Sequence, residues 1–277
     1  MLLRLGHSPD PDDAFMFYAL AEGLIDTEGL EFEHVLQDIE TLNRRAENGE
    51  LEITALSVHA YAYLRDRYVL LPHGASMGDG YGPLFVSRKP MRVEDLNQAV
   101  VAIPGLRTSA FLAARLAVGD FEHTVVPFDE IMDYVIAGEA DAGLLIHEGQ
   151  LTYAGHELNK VLDLGEWWRE ATGGLPLPLG VNAIRRDLPQ DVIERINRVL
   201  GHSIRHALEH RDAAVRHALQ YGRGLDASLA DRFIGMYVND LTQDLGTRGR
   251  MAIEEFLKRG HRAGLVPGPV TIEFAHV

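Results

Sequence analysis

The stretch "NGELEITALS" (Asn48 to Ser57) has a counterpart 89 residues further along the chain, in "AGEADAGLLIH" (Ala137 to His147). In both, a helical segment ends at a Gly-Glu turn, an acidic residue follows two positions later, and an apolar run ends in a polar residue. Glycine commonly follows the end of a helix, and a short apolar run is typical of a buried strand. Each stretch is therefore predicted to be a helix-strand unit that brings a polar side chain, Ser57 or His147, to the carboxyl end of a strand.

Short apolar runs alternate with helical segments through the first two thirds of the chain, which is the pattern of βαβ units. Beyond Leu188, apolar residues at helical spacing predict successive helices to about Gly264. The predicted strands are Leu2–Leu5, Leu30–Leu36, Ile53–Leu56, Val69–Leu71, Leu84–Ser87, Val100–Ile103, Thr124–Phe128, Gly143–Ile146, Val161–Leu164 and Leu179–Ile184.

The repeated unit predicts an α/β fold with two lobes, each a mostly parallel sheet flanked by helices, and a ligand cleft between them. The chain is expected to cross between lobes near residues 86–90 and 180–186. Residues 1–88 with 184–277 would then form a large discontinuous lobe, and residues 89–183 a small one. Because ligands gather outside the carboxyl ends of parallel strands, Ser57 and His147 are expected to face each other across the cleft.

The composition excludes several classes of partner. The 41 acidic and 26 basic residues give a formal net charge of −15, which repels nucleic acid and anionic lipid. The absence of cysteine excludes disulfides and thiolate chemistry. Neither a signal peptide nor an apolar run of about 20 residues is evident. We therefore expect a cytoplasmic protein that binds neither nucleic acid nor membrane, and the sequence also allows a homodimer.

Two predicted helix starts carry hydroxyl groups. In "VVAIPGLRTSAFLAARLA" (Val100 to Ala117) a buried strand ends near Pro104, and a helix starts near Thr108 and Ser109. The free N–H groups of a first helical turn favour a carboxylate or phosphate. In "ALSVHAYAYL", Ser57 has the same position. For Thr108 and Ser57 alike, simple helix capping is the alternative.

His147 follows the apolar run instead of lying within it. An imidazole with a pKa near neutrality at this edge could act as a general base. The alternative is a structural histidine that is hydrogen-bonded in the core. Glu148 is assigned no role, because successive residues of a strand point to opposite faces.

The first loop, "GHSPDPDDAFMFYAL" (Gly6 to Leu20), holds three aspartates and a histidine. Its spacing does not match that of metal ligands, and Asp12 and Asp13 instead favour the first turn of a helix. We therefore predict no metal site here. Three histidines spaced by four residues are predicted to face solvent: His202, His206 and His210.

Two further segments leave their roles open. "GASMGDGYGP" (Gly74 to Pro83) has the composition of a flexible connection and not of a nucleotide-binding loop. The rings of Trp167 and Trp168 could pack in a core or wall the cleft.

Segments along nearly the whole chain resemble the 1,4-dihydroxy-6-naphthoate synthase family of the futalosine route to menaquinone. They are "LGHSPDPDDAFMFYAL", "IETLNR", "LRDRYVLL", "PGLRTSAF", "LLIHEGQLTY", "DLGEWWREATGGLPLPLG" and "YVNDLTQDLG". The resemblance implies the fold of periplasmic solute-binding proteins, used for catalysis in the cytoplasm. It also implies a lyase that acts on cyclic dehypoxanthine futalosine, a small anionic aromatic substrate, without metal or organic cofactor.

Carried over by position, the resemblance implies His147 as the catalytic histidine and a set of residues that bind the substrate: Ala55, Leu56, Ser57, Thr108 and Ser109. The first loop departs from the family, where Ser-Pro-Cys-Pro-Asn-Asp-Thr-Phe is expected. Here Asp10 and Asp12 replace neutral residues and would add negative charge beside an anionic substrate. Two alternatives stay open: a non-catalytic protein that holds a small carboxylate in the same cleft, and the related chorismate dehydratase.

Overall fold

The computed structural model describes residues 1–221 and 226–275. Within this part of the chain, eleven strands form two sheets. In chain order they are β1 (Leu2–His7), β2 (Glu31–Leu36), β3 (Ile53–Ser57), β4 (Tyr68–Leu70), β5 (Ser76–Gly78), β6 (Leu84–Ser87), β7 (Val100–Ile103), β8 (Glu122–Val125), β9 (Ala142–Leu145), β10 (Asn159–Asp163) and β11 (Leu177–Arg185).

Helices pack around both sheets and make up most of the chain after β11. They are α1 (Pro11–Met16), α2 (Tyr18–Ala21), α3 (Ile39–Glu47), α4 (Val58–Leu64), α5 (Ser109–Val118), α6 (Ile131–Ala137), α7 (Gly149–Thr152), α8 (Leu164–Thr172), α9 (Gln190–Glu209), α10 (Arg211–Ala218), α11 (Ala227–Tyr237), α12 (Asp240–Gln243) and α13 (Gly246–Arg262). Short 3-10 helices lie at Val93–Gln98, Tyr153–His156 and Leu219–Tyr221. None of the helices described is long and apolar enough to cross a membrane.

The two sheets share one order of strands. The first runs β2-β1-β3-β11-β4, with β5 also paired to β11, and the second runs β8-β7-β9-β6-β10. In each, three parallel strands are followed by one antiparallel strand, β11 or β6. This repetition confirms the two-lobed α/β fold.

The sheets are mostly parallel, as predicted, because all strands but one in each described sheet run in the same direction. The exceptions are β6 and β11, the first strands that the chain forms after crossing between sheets. The chain enters each sheet from the side of the cleft, where the parallel strands end. The entering strand must therefore run antiparallel to them, as β11 does beside β3 and β6 does beside β9.

Strand pairing also places the crossings earlier than the predicted boundaries after residues 88 and 183. The first lies between β5 and β6, at residues 79–83, and the second between β10 and β11, at residues 164–176. Consequently β6 pairs in the second sheet and β11 in the first. Within the segment predicted as a flexible connection, Ser76–Gly78 forms β5. Such pairing depends on a distant partner strand, which composition does not reveal.

Both helix-strand units predicted from the repeated stretches are confirmed. The helix α3 leads into β3, and α6 leads into β9. Gly49 and Gly138 take the left-handed conformation after these helices, with φ of 67° and 83°. The strand predicted at Thr124–Phe128 lies earlier, at Glu122–Val125, because Pro127 has no N–H to donate within a sheet.

Trp168 packs in the core and not against the cleft, which decides between the two alternatives for the paired tryptophans. Its ring is fully buried, edge-on to Phe256 with the ring centroids 5.4 Å apart. Its indole N–H donates a hydrogen bond to the carbonyl of Pro176 at 2.9 Å. Trp167 is only partly buried, on the rim of the same cluster.

We expect Trp168→Ala to lower the free energy of unfolding by about 3–5 kcal/mol, because it removes a large buried ring and leaves a cavity. Urea unfolding followed by circular dichroism measures the change. Trp167→Ala is the matched control and should lower the free energy of unfolding by clearly less. Equal losses for the two variants would show that Trp168 does not anchor this core.

Candidate functional site

A cavity lies between the two sheets and takes side chains from both. It encloses about 760 Å³ of empty space, including its open mouth. Its walls include four of the residues predicted to bind substrate: Ala55, Ser57, Thr108 and Ser109. Leu56, the fifth, packs into the hydrophobic core, because it lies between Ala55 and Ser57 on a strand and points to the other face.

Ser57 is held by a neighbouring helix and does not cap its own. It occupies the position before α4, but its side chain makes no capping hydrogen bond. Instead its hydroxyl accepts a hydrogen bond from Asn43 Nδ2 at 3.1 Å, and its N–H donates to Asn43 Oδ1 at 2.9 Å. A hydroxyl that accepts one bond can still donate another. Ser57 is thus fixed in the cavity wall with a donor to offer.

Thr108 caps α5, as the alternative for this residue predicted. Its hydroxyl accepts from the N–H of Phe111 at 3.2 Å and donates to the carbonyl of Gly105 at 2.9 Å. With both functions of the hydroxyl in use, Thr108 shapes the wall and leaves other groups of the first turn to face the cavity.

Ser109 connects the two lobes. Its hydroxyl donates to the carbonyl of Leu179, at 2.5 Å, and accepts from the N–H of His59 at 3.2 Å. Leu179 lies on β11 of the first sheet, whereas Ser109 begins the helix after β7 of the second. The N–H of Arg107 adds a bond to Glu40 Oε2 at 3.1 Å. The start of α5 is therefore docked on the other lobe.

Sequence reasoning missed Glu40 and Asn43 on α3, which bind the N–H of Arg107 across the junction and Ser57 within the first lobe, respectively. Both are buried, at 6% and 0% exposure, on a helix whose buried face also contains Leu42 and Ala46. Polar residues on the apolar face of an amphipathic helix are a signal that could have identified them, because a buried polar group requires a partner.

His147 lies two residues beyond the end of β9, in a buried position with 5% exposure. The N–H of Gly149 donates to its Nδ1 at 2.8 Å, and its ring centroid lies 5.5 Å from that of Phe128. Its Nε2 has no hydrogen-bond partner among the described residues. The adjacent cavity wall is Ile146. The predicted arrangement, in which His147 faces Ser57 across the cleft, stays a prediction.

The acidic first loop contributes Asp10, Asp12 and Asp13 to the cavity wall. Burial raises the pKa of Asp13 to about 7, although its Oδ2 accepts a hydrogen bond from the N–H of Ser8 at 2.6 Å. Burial, together with repulsion from Asp13 and Asp10, raises the pKa of Asp12 well above its usual value. These two carboxyl groups therefore carry less negative charge near neutral pH than the sequence suggests.

The histidines of α9 belong to the outside of the molecule. His206 and His210 stack on each other with centroids 4.1 Å apart, and His202 and His210 are exposed. Within residues 1–221 and 226–275, no group of three or more histidine, aspartate or glutamate side chains is placed to hold a metal ion.

Two α/β lobes with the same order of strands and a cavity between them define the class of periplasmic-binding-protein-like folds. The alkanesulfonate-binding protein of Xanthomonas axonopodis pv. citri has this fold: it superposes with a TM-score of 0.71 at 13% identity, covering 98% of this chain and 96% of its own. More specifically, residues 3–262 match the menaquinone biosynthesis family. The chain belongs to that family.

Two proteins show how much of the chain the similarity covers. A relative from Thermus thermophilus, named 1,4-dihydroxy-6-naphthoate synthase, is 40% identical over 268 residues, which are 96% of this chain and 97% of that protein. A crystal structure of an Archaeoglobus fulgidus protein is 50% identical, with a TM-score of 0.92 and coverage of 96% of this chain and 98% of that one. The similarity therefore extends over both lobes.

The raised pKa of Asp13 predicts how stability depends on pH. Because the folded protein holds the proton more tightly than the unfolded chain, this contribution is complete below about pH 4 and is lost as the pH rises toward 7. In Asp13→Asn, which keeps an acceptor for Ser8, this loss should be absent. Urea unfolding at several pH values between 4 and 8 compares the two proteins.

The comparison with the variant is essential, because buried histidines change the free energy of unfolding with pH in the opposite direction. Burial lowers the pKa of His59 to about 4, for example, so this group favours the folded state as the pH rises. Identical pH dependence of unfolding in Asp13→Asn and the wild-type protein would contradict a protonated Asp13.

Proposed function

We propose that the protein is a 1,4-dihydroxy-6-naphthoate synthase, a carbon-carbon lyase that converts cyclic dehypoxanthine futalosine into 1,4-dihydroxy-6-naphthoate in menaquinone biosynthesis. The observation that carries the proposal is the wall of the cavity between the lobes. It contains Ala55, Ser57, Thr108 and Ser109, the residues that the family resemblance assigns to substrate binding. The similarity to the Thermus thermophilus synthase over both lobes supports the same assignment.

The cavity suits a substrate with a carboxylate and hydroxyl groups. Ser57 has a hydroxyl hydrogen available, and the first turn of α5, whose first N–H groups lack partners within the helix, contributes Ser109 and Ala110 to the same wall. Such N–H groups and the positive end of the helix dipole favour an anionic oxygen. Ala55, Ile146 and Phe233 provide apolar surface for the rings.

His147 is proposed as the residue that handles the proton during catalysis. Release of the sugar-derived fragment requires removal of a proton from a hydroxyl or from a carbon next to a carbonyl, then carbon–carbon cleavage and aromatisation. An imidazole suits proton transfer at neutral pH, and a general base was the role suggested by the sequence. Its chain neighbour Ile146 lines the cavity, which supports this role.

Incubation of the purified protein with cyclic dehypoxanthine futalosine should yield 1,4-dihydroxy-6-naphthoate, detected by absorbance and mass. Chorismate, offered in parallel, should remain unchanged. Binding of the futalosine derivative without product would support a solute-binding role, and consumption of chorismate would support the related dehydratase. Either result would overturn the proposed function.

His147→Ala should lower kcat by at least about 100-fold, the usual contribution of a proton-transferring side chain. The Kd for the substrate should stay within about tenfold, because binding depends mainly on other walls. Stopped assays and isothermal titration provide the two measurements, and urea unfolding confirms that the variant is folded. Unchanged kcat in a folded variant would remove His147 from the mechanism.

A further inference from the structure

We propose that His147 and Gln150 form a pair of N–H donors for an anionic oxygen of the substrate, with His147 present as the tautomer that carries its proton on Nε2. The inference rests on the proposed function for the identity of the substrate. It assigns a binding role to Gln150 and determines how His147 enters the reaction.

The tautomer follows from the contact between His147 and Gly149. The backbone N–H of Gly149 donates to Nδ1 at 2.8 Å, so Nδ1 must present a lone pair. A neutral imidazole has one protonated nitrogen, which here is Nε2. Oε2 of Glu148 lies 3.8 Å from Nδ1, which is beyond hydrogen-bond distance.

Glycine at position 149 is necessary for this contact. A Cβ atom there would lie 2.6 Å from Cε1 of His147 and 3.1 Å from its Nδ1. Any larger residue would therefore push the ring away from the N–H that selects the tautomer. Gly149 thus acts as a positioning residue for His147.

The proton on Nε2 has no acceptor among the described residues, although the atom is buried. A buried donor without a partner is rare in folded proteins, because it loses its bonds to water and gains none in return. Such a group indicates a missing ligand oxygen or an ordered water.

Gln150 provides a second donor of the same kind. Its side chain is 6% exposed, and its Oε1 accepts a hydrogen bond from the hydroxyl of Tyr237 at 2.7 Å. Its Nε2 has no partner within the described chain. Tyr237 is itself part of the cavity wall. The amide of Gln150 is therefore held by a residue of the cavity wall, while its N–H groups have no partner among the described residues.

The two donors belong to one turn. The N–H of Gln150 donates to the carbonyl of His147 at 2.9 Å, and residues three apart on a helical turn are neighbours on one side of it. Ile146 and Tyr237, which flank the turn, both line the cavity. Two N–H donors that are fixed before the ligand arrives match an oxygen that is negative or becomes negative during the reaction.

The pair changes the first step assigned to His147. With its proton on Nε2, the ring can donate a hydrogen bond to a carboxylate or to the oxygen that gains charge as the carbon–carbon bond breaks. It cannot accept a proton at Nε2 until the proton already there has been given up, and its only lone pair, on Nδ1, is engaged by the N–H of Gly149. His147 therefore begins the reaction as a donor.

Nitrogen-15 NMR of the full-length protein with labelled histidine tests the tautomer without any substrate. At about pH 8, where an ordinary imidazole is neutral, Nδ1 of His147 should have the shift of an unprotonated nitrogen and Nε2 that of a protonated one. The spectrum of His147→Gln identifies the signal. The reverse pattern would overturn the assignment whatever reaction the protein catalyses.

Gln150→Glu tests the second donor, because it keeps an oxygen for Tyr237 and replaces the free N–H groups by another oxygen. We expect at least about a tenfold rise in the Kd for 1,4-dihydroxy-6-naphthoate or a comparable fall in kcat. A loss in Kd would place a carboxylate at the pair, and a loss in kcat alone would place there the oxygen that gains charge. Gln150→Met should act in the same direction without adding charge.

Gln98→Glu is the matched control, since it makes the same change of charge at an exposed position on the Val93–Gln98 helix. It should leave both constants unchanged. Unchanged Kd and kcat in folded Gln150→Glu and Gln150→Met would overturn the role of Gln150. If the wild-type protein binds the naphthoate but forms none, the proposed function fails while the donor pair is still tested by Kd and NMR.

Discussion

The direction in which the chain enters each sheet is the constraint on which this molecule depends. The strands β6 and β11 both start from the side of the cleft and therefore run against the parallel strands beside them. This arrangement turns the carboxyl ends of β1 and β3 and those of β7 and β9 toward the same space. Ser57, Ser109 and His147 come from separate parts of the chain, yet Ser57 ends β3, Ser109 follows β7 and His147 follows β9. The position of the site is thus a consequence of strand topology.

The contacts that close the cleft also use groups that a ligand would need. Ser109 already has two partners from the other lobe, and Gln150 is bonded to Tyr237. A substrate can bind to the hydroxyl of Ser109 only if its hydrogen bond replaces one of those existing bonds, so the net gain in free energy from that contact is small. Ser57 differs, because its bonds to Asn43 lie within one lobe and leave its hydrogen free to donate. We therefore expect most of the binding energy to come from groups that the contacts between the lobes leave unpaired.

The sequence was sufficient to predict features that have local causes or that occur twice in the chain. The two helix-strand units were recognisable because a glycine after a helix and an apolar run have local causes, at Gly49 and Gly138. The lobe crossings were placed too late because the membership of β6 and β11 depends on pairing with distant strands. The capping by Thr108 could not be separated from ligand binding, since one hydroxyl can serve either purpose. Asn43 and Gln150 escaped notice because their roles arise only when other elements pack against them.

The proposed anionic substrate would bind in a cavity whose described walls carry no positive side chain. No lysine or arginine is among its walls in the part of the chain that the structure describes. Burial instead raises the pKa of Asp12 and Asp13, so these carboxyl groups carry less negative charge near neutral pH. Fixed N–H and O–H dipoles stabilise charge most effectively where water is excluded, and they do so at the position where the charge forms. A free arginine would bind any carboxylate, whereas a set of neutral donors selects a ligand by where its oxygens lie. The strongly acidic composition of the chain is therefore compatible with an anionic substrate.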